Sequence, residues 1–217
     1  MNFELAHFNM IQQQLRPWKV TNEAVLELLA SVNREDFVPA AYRNFAYSDI
    51  EIPLGFDTAM LAPKIEGQML QALKIKNGDN ILEIGTGTGY MAALLASRAA
   101  RVWSVEIVPQ LAETARAILR RLGFANVTVE TGDGLTGLPA HAPYDVIIIS
   151  ASVPSVPSEL LAQLKVGGRM FAIVGSEPAM TAQLITRETD SAFHTQGLFE
   201  TIAAPLANAP QLPRFVF

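Results

Sequence analysis

Three glycines and three acids stand at intervals that suit the binding of a small charged ligand. The stretch "LEIGTGTGY" places Glu83 ahead of Gly85, Gly87 and Gly89, between an apolar strand pattern and a helical one. Glycines here let the backbone turn tightly and let a ligand approach a helix N-terminus, whose free N–H groups favour an anionic group. The dinucleotide fingerprint spaces its glycines G-x-G-x-x-G, whereas the third here falls one residue early. Glu106 follows about 20 residues on, at the end of a second strand pattern, where an acid can accept both ribose hydroxyls. "TGDGL" then sets Asp133 after a third strand. Taken singly, Glu106 reads as a strand-end surface charge and Asp133 as an Asp-Gly turn. Three acids at the carboxyl ends of three successive strands favour the ligand reading, because open α/β sheets bind ligands along that edge.

The elements that must position these residues are legible from Asn80 onward. "NILEIG", "RVWSVEIV", "VTVE", "YDVIIIS" and "GRMFAIV" read as strands, the fourth apolar enough to be buried on both faces. "TGYMAALLASRA", Pro109 to Leu122 and "PSELLAQL" read as helices, with "KVGG" as the turn ending the last. Pro109 at a first helical position and Gly123 just past the end follow the preference of helix termini. Strands alternating with helices imply a parallel sheet with right-handed crossovers. Beyond Gly175, "AQLITRET", "FHTQGLFETIAAP" and the final "RFVF" read as strands, antiparallel at the sheet edge.

Upstream, the pattern predicts a helix from Phe3 to Leu15. A second follows the cap candidates Thr21 and Asn22, with Val25, Leu26, Leu28, Leu29 and Val32 on one face. "YSDIEIPLG" reads as an edge strand or extended loop because of Pro53. Gly55 to Pro63, "GFDTAMLAP", reads as a loop with one carboxylate and one hydroxyl, and Pro63 opens a helix carrying Ile65, Met69, Leu70 and Leu73. The fold class expected is α/β, with N-terminal helices packed over the top of a mostly parallel sheet. One domain over residues 1–217 is the economical division: 1–75 helical with the loop, 76–175 the ligand-binding core, and 176–217 the edge strands.

Composition removes other chemistries. Half of the 217 residues are apolar, so a large core can form. A net charge of −5 leaves no electrostatic footprint for nucleic acid, and the pair Arg120–Arg121 reads as a solvated helix end favoured by the helix dipole. With no cysteine, disulfides, thiolate metal sites and thiol catalysis are excluded together. His7, His141 and His194 lie far apart without metal-ligand spacing, so no metal is expected. No apolar run approaches the roughly 18 residues of a membrane span, and the first residues lack a signal pattern. The expectation is a cytoplasmic protein that binds neither membrane nor nucleic acid.

The glycine spacing, with an acid two residues before the first glycine, resembles the first motif of S-adenosylmethionine (SAM) methyltransferases. Together with "GDG", "APYDVIII", "VPSVPSELLAQLKVGGRM" and "IPLGF…AP", it makes the chain similar, from "VNREDFVP" to "APLAN", to the protein-L-isoaspartate (D-aspartate) O-methyltransferases. The resemblance implies a Rossmann-like methyltransferase fold, SAM as cofactor and S-adenosyl-L-homocysteine as product. It also implies methylation of the abnormal α-carboxyl of isoaspartyl residues in damaged proteins or peptides, a repair step. It assigns the cofactor to Glu83, Gly85, Thr86, Gly87, Gly89, Tyr90, Glu106, Ile107, Asp133, Gly134 and Ser150.

The family reads its acceptor loop as Q-x-T-I-S-x-P, and this chain has "DTAMLAP". Leu61, Thr58 and Ala59 thus hold the catalytic positions with the polar groups lost, and Asp57, Met60, Ser152 and Val153 are the substrate candidates. Leu61 in place of Ser removes a donor. Asp57, if it faced the site, would repel a carboxylate by about 1 kcal/mol at 4 Å in water, and about 4 at an effective dielectric of 20. Ser152 could supply a substitute hydroxyl, or be an ordinary turn serine. Three readings therefore stand: an isoaspartyl methyltransferase, a methyltransferase on a less anionic small acceptor, and a SAM-binding protein without turnover. A dinucleotide dehydrogenase is the further alternative for the glycine motif. Phe215 and Phe217 leave open a homodimer interface or simple edge packing.

Overall fold

A computed structural model describes residues 2–210. Two helices open the chain, α1 (Phe3–Asn9) and α2 (Glu23–Ser31), each capped by an asparagine side chain that accepts backbone N–H groups. The expected single helix to Leu15 is corrected: after Asn9 the chain widens into a π-helix, Met10–Leu15. That widening buries Met10, Ile11 and Leu15 together, while Gln12 and Gln13 stay exposed. Next come β1 (Ile52–Gly55), β2 (Thr58–Met60) and α3 (Pro63–Leu73), then β3 (Asn80–Ile84), α4 (Tyr90–Ala96), β4 (Arg101–Glu106) and α5 (Pro109–Arg121). They are followed by β5 (Val127–Thr131), β6 (Tyr144–Val153), α6 (Ser158–Ala162), β7 (Leu164–Ser176), β8 (Ala179–Arg187) and β9 (Phe193–Glu200).

Among the described residues, seven strands form one sheet in the order β5-β4-β3-β6-β7-β8-β9. The first five in that order are parallel, and β8 and β9 are antiparallel at the edge. This is the mostly parallel α/β sheet that the strand–helix alternation implies, and it fits the Rossmann-like fold that the family resemblance implies. Val146, Ile147, Ile148 and Ile149 of β6 are wholly buried, as a strand covered on both faces must be. Helix α2 and the π-helix Met10–Leu15 pack on α3, which in turn lies against β7. No helix among the described residues is long and apolar enough to cross a membrane.

Two local readings change. "KVGG" is no turn but the irregular start of β7, where pairing jumps from Tyr144↔Leu164 to Val146↔Arg169. The bulge absorbs the glycines, Gly167 at a φ of +80°. The stretch around Pro53 joins no large sheet: β1 pairs antiparallel with β2 as a separate hairpin, Gly55 opposite Thr58. "RFVF", with Phe215 and Phe217, lies outside the described residues.

Candidate active site

The ends of β3, β4 and β5 deliver the three acids to one edge of the sheet, as right-handed crossovers require. Gly85 and Gly87, at φ +91° and +53°, carry the chain from β3 toward α4. The Glu106 carboxylate braces this turn, accepting the Gly87 N–H at 2.8 Å and the Val108 N–H at 3.0 Å. The turn is therefore held by hydrogen bonds from within the protein itself.

A cleft enclosing about 710 Å³, part of it open to solvent, runs along this edge. It is lined by Gly85, Gly87, Glu106, Ile107, Asp133, Gly134 and Ser150 from the sheet side, and by Thr58, Ala59 and Leu61 from the hairpin. A smaller chamber continues inward, where Glu83, Thr86 and Tyr90 meet Met60, Leu61 and Glu66. Gly89 lines neither space. A Cβ there would meet Leu119 at 3.2 Å, so this glycine serves the close packing of α4 on α5.

The inner chamber is where the electrostatics are unusual. Glu83 is fully buried, and burial pushes its carboxyl up to about 8; the Ser104 hydroxyl opposes that shift and the Glu106 charge adds to it. Ser104 donates to Glu83 Oε2 at 2.5 Å and is itself 2.6 Å from the Thr86 hydroxyl. Glu83 Oε1, the Tyr90 hydroxyl and the Ser150 hydroxyl are buried with no hydrogen-bond partner in the protein. Buried polar atoms are nearly always paired, so three orphans around one chamber suit a polar ligand group.

The hairpin differs from the loop expected. Phe56 and Asp57 form a two-residue turn with φ of +54° and +57°, as a type I′ connection demands. That geometry turns Asp57 out into solvent, away from the residues lining the cleft. The repulsion expected from it at the acceptor therefore has no geometric basis. The Thr58 hydroxyl donates back to the Gly55 carbonyl at 3.1 Å, closing the turn. Met60 is buried below. Ser152 is also corrected: it donates to the Ala203 carbonyl at 2.9 Å and does not line the cleft, and Val153 is core.

Sequence reasoning missed four groups. The segment Ala204–Ala207 lines the cleft because Ser152 exchanges backbone hydrogen bonds with Ala204 and Leu206. Asn208 donates to Asp133 Oδ2 at 3.0 Å. Arg34 and Glu66 form a buried ion pair behind Leu61, Nε to Oε2 at 3.2 Å. The fourth is Ser104, whose hydroxyl, carried in the strand run "RVWSVE", donates to Glu83.

Comparison with known proteins gives these features a family. The family model for protein-L-isoaspartate(D-aspartate) O-methyltransferase (PCMT) matches residues 6–211. The protein-L-isoaspartate O-methyltransferase of Gloeobacter violaceus is 40% identical over 197 residues, covering 91% of this chain and 96% of its own length. That of Koribacter versatilis is 44% identical, over 86% of this chain and 83% of its own. A solved protein-L-isoaspartate O-methyltransferase superposes with a TM-score of 0.80 at 27% identity, over 92% of this chain and 65% of that one. A Plasmodium falciparum structure described as a beta-aspartate methyltransferase (PCMT) with S-adenosyl-L-homocysteine shares the fold, at a TM-score of 0.80 and 17% identity. By its sequence over most of its length, this chain belongs to the protein-L-isoaspartate(D-aspartate) O-methyltransferase family.

Proposed function

We propose that the chain is a SAM-dependent protein-L-isoaspartate O-methyltransferase whose acceptor carboxylate sits between the hairpin and the glycine turn. The observation that carries this reading is that Thr58, Ala59 and Leu61 share one cleft with Gly85, Glu106 and Asp133. The residues fit the cofactor. Gly85 and Gly87 have positive φ and border the cleft, so side chains there would be strained and would fill it. Glu83 Oε1 lacks a partner, as an acceptor awaiting an ammonium group should. Glu106 and Asp133 are the acceptors toward the ribose and adenine.

When bound, SAM supplies an electrophilic methyl group on a sulfonium. A carboxylate is ionised at neutral pH and needs no general base, so the chain contributes positioning and shelter from water. Leu61 and Ala59 present an apolar wall; with no Ser or Thr side chain in Ala59–Leu61, the segment's backbone and the Thr58 end of the hairpin hold the acceptor. Partners are proteins or peptides carrying isoaspartyl residues, met in the cytoplasm.

Tritiated SAM with an isoaspartyl peptide, beside calorimetric titration of SAM, tests this. Transfer dependent on the isoaspartyl residue is expected. SAM binding without transfer would overturn the isoaspartyl assignment, and absence of binding would overturn the cofactor assignment as well.

A further inference from the structure

The segment from Ala59 to Leu61 walls the cleft and the inner chamber, yet none of its side chains carries a polar group. Its backbone is held from behind. The Leu61 carbonyl accepts from Arg34 Nη2 at 2.6 Å, the Ala46 carbonyl accepts from Nη1 at 2.8 Å, and Glu66 accepts from Nε at 3.2 Å. Arg34 is wholly buried, and the Tyr90 ring lies 5.5 Å from its guanidinium carbon. One planar fork thus ties together the 3₁₀ turn Ala40–Phe45 with its following residue, the acceptor segment and the first turn of α3.

A buried ion pair is a weak device for stability, since apolar replacement of both partners is often neutral or stabilising. Its value here lies in direction. A guanidinium presents donors along fixed lines in one plane, which an ammonium on a flexible stem does not. We propose that Arg34 is a positioning residue for the methyl acceptor: it fixes the Leu61 carbonyl, and so the course of Ala59–Leu61, with Glu66 as the counter-charge. The acceptor part of this inference rests on the isoaspartyl reading above; the fixing of the segment does not.

The test compares wild type with the double variant Arg34→Met/Glu66→Leu and with Arg34→Lys. It measures melting temperature, SAM affinity, kcat and KM on an isoaspartyl peptide, and amide hydrogen exchange over residues 58–62. The double variant is expected to stay folded, because the pair is replaced by apolar groups. Since Glu66 borders the inner chamber, kcat is compared at saturating SAM for each variant, so that a change in SAM affinity does not enter it. Exchange over 58–62 is expected to quicken by about tenfold or more, and kcat to fall about 10- to 100-fold with a smaller change in KM, the cost of a misplaced acceptor. Arg34→Lys falls between.

A folded double variant with wild-type exchange and kcat overturns the proposal, as does a loss confined to melting temperature. Should the double variant not fold, Arg34→Lys decides: quickened exchange confined to 58–62 supports the role, and wild-type exchange overturns it. A wild-type protein that transfers no methyl to the peptide sinks the isoaspartyl reading, while the exchange comparison still decides whether Arg34 fixes the segment.

Discussion

Phe56 shows at one residue what the hairpin demands. It sits at φ +54° with 58% of its surface exposed, in a conformation that asparagine or glycine tolerates better. Phe56→Asn is expected to raise the melting temperature by about 1–3 °C, since relief of under 1 kcal/mol moves a chain of this size by that much. Scanning calorimetry without ligand checks it; a fall would mean that the ring packs usefully on the hairpin. Glu83 makes the second residue-scale prediction. Its carboxyl is raised from 4.5 to about 8, so at pH 7 the ligand-free protein keeps that proton while the unfolded chain does not. Stability from this group is full below about pH 4.5 and is lost as pH rises toward 8, so Glu83→Gln should flatten the decline of stability between those limits. An ammonium placed beside Oε1 favours the carboxylate, so SAM binding near pH 7 should release a proton. Calorimetry in buffers of different ionisation enthalpy reads this directly, and an unchanged binding enthalpy across buffers would refute it. The sequence placed Glu83 two residues before the glycines, but its burial comes from neighbouring strands that no local spacing reveals.

At the scale of elements, the C-terminal segment closes the cleft. Ser152 at the end of β6 holds Ala203, Ala204 and Leu206, and Asn208 reaches Asp133. Asn208→Ala should weaken SAM binding about three- to tenfold, the worth of about one hydrogen bond that orients Asp133. Calorimetric titration checks it, and unchanged affinity would show that Asp133 needs no such help. Ser152→Ala leaves the buried Ala203 carbonyl without its hydroxyl donor, at a cost of about 1–3 kcal/mol, visible as a lower melting temperature. Strand and helix order was legible because helices separate β3 from β4, β4 from β5 and β6 from β7, and the strands carry strong apolar runs. The glycine turn was legible because only glycine accepts its backbone angles without strain. The hairpin was not: Phe-Asp is a poor match to the Asn-Gly pattern that marks such turns, so "GFDTAM" reads as loop. The closing segment was illegible for another reason. Its contact with Ser152 spans about fifty residues, and "IAAPLANAP" has no periodicity that tells where it runs.

At the scale of the whole molecule, charge sets how substrates arrive. The chain carries a net charge of −5, and Glu51, Glu106 and Asp133 line the cleft. Among the described residues lining that cleft, none is Lys, Arg or His. An acidic peptide therefore approaches against a repulsive field, which salt screens over a Debye length of about 10 Å at 0.1 M. Charge steering acts on encounter more than on contacts made once bound. Raising salt from about 20 to 150 mM should accordingly raise kcat/KM a few-fold for an isoaspartyl peptide rich in Asp and Glu. The same change should lower it for a lysine-rich peptide and leave an uncharged one nearly unaltered. On the proposed placement of the SAM ammonium beside the buried Glu83, SAM affinity should respond less, because screening is weak inside the protein. Initial rates on the three peptides at matched SAM saturation separate the cases. Equal salt dependence for all three would mean that the acceptor is guided by local contacts at the hairpin alone, with the acidic surface irrelevant to capture.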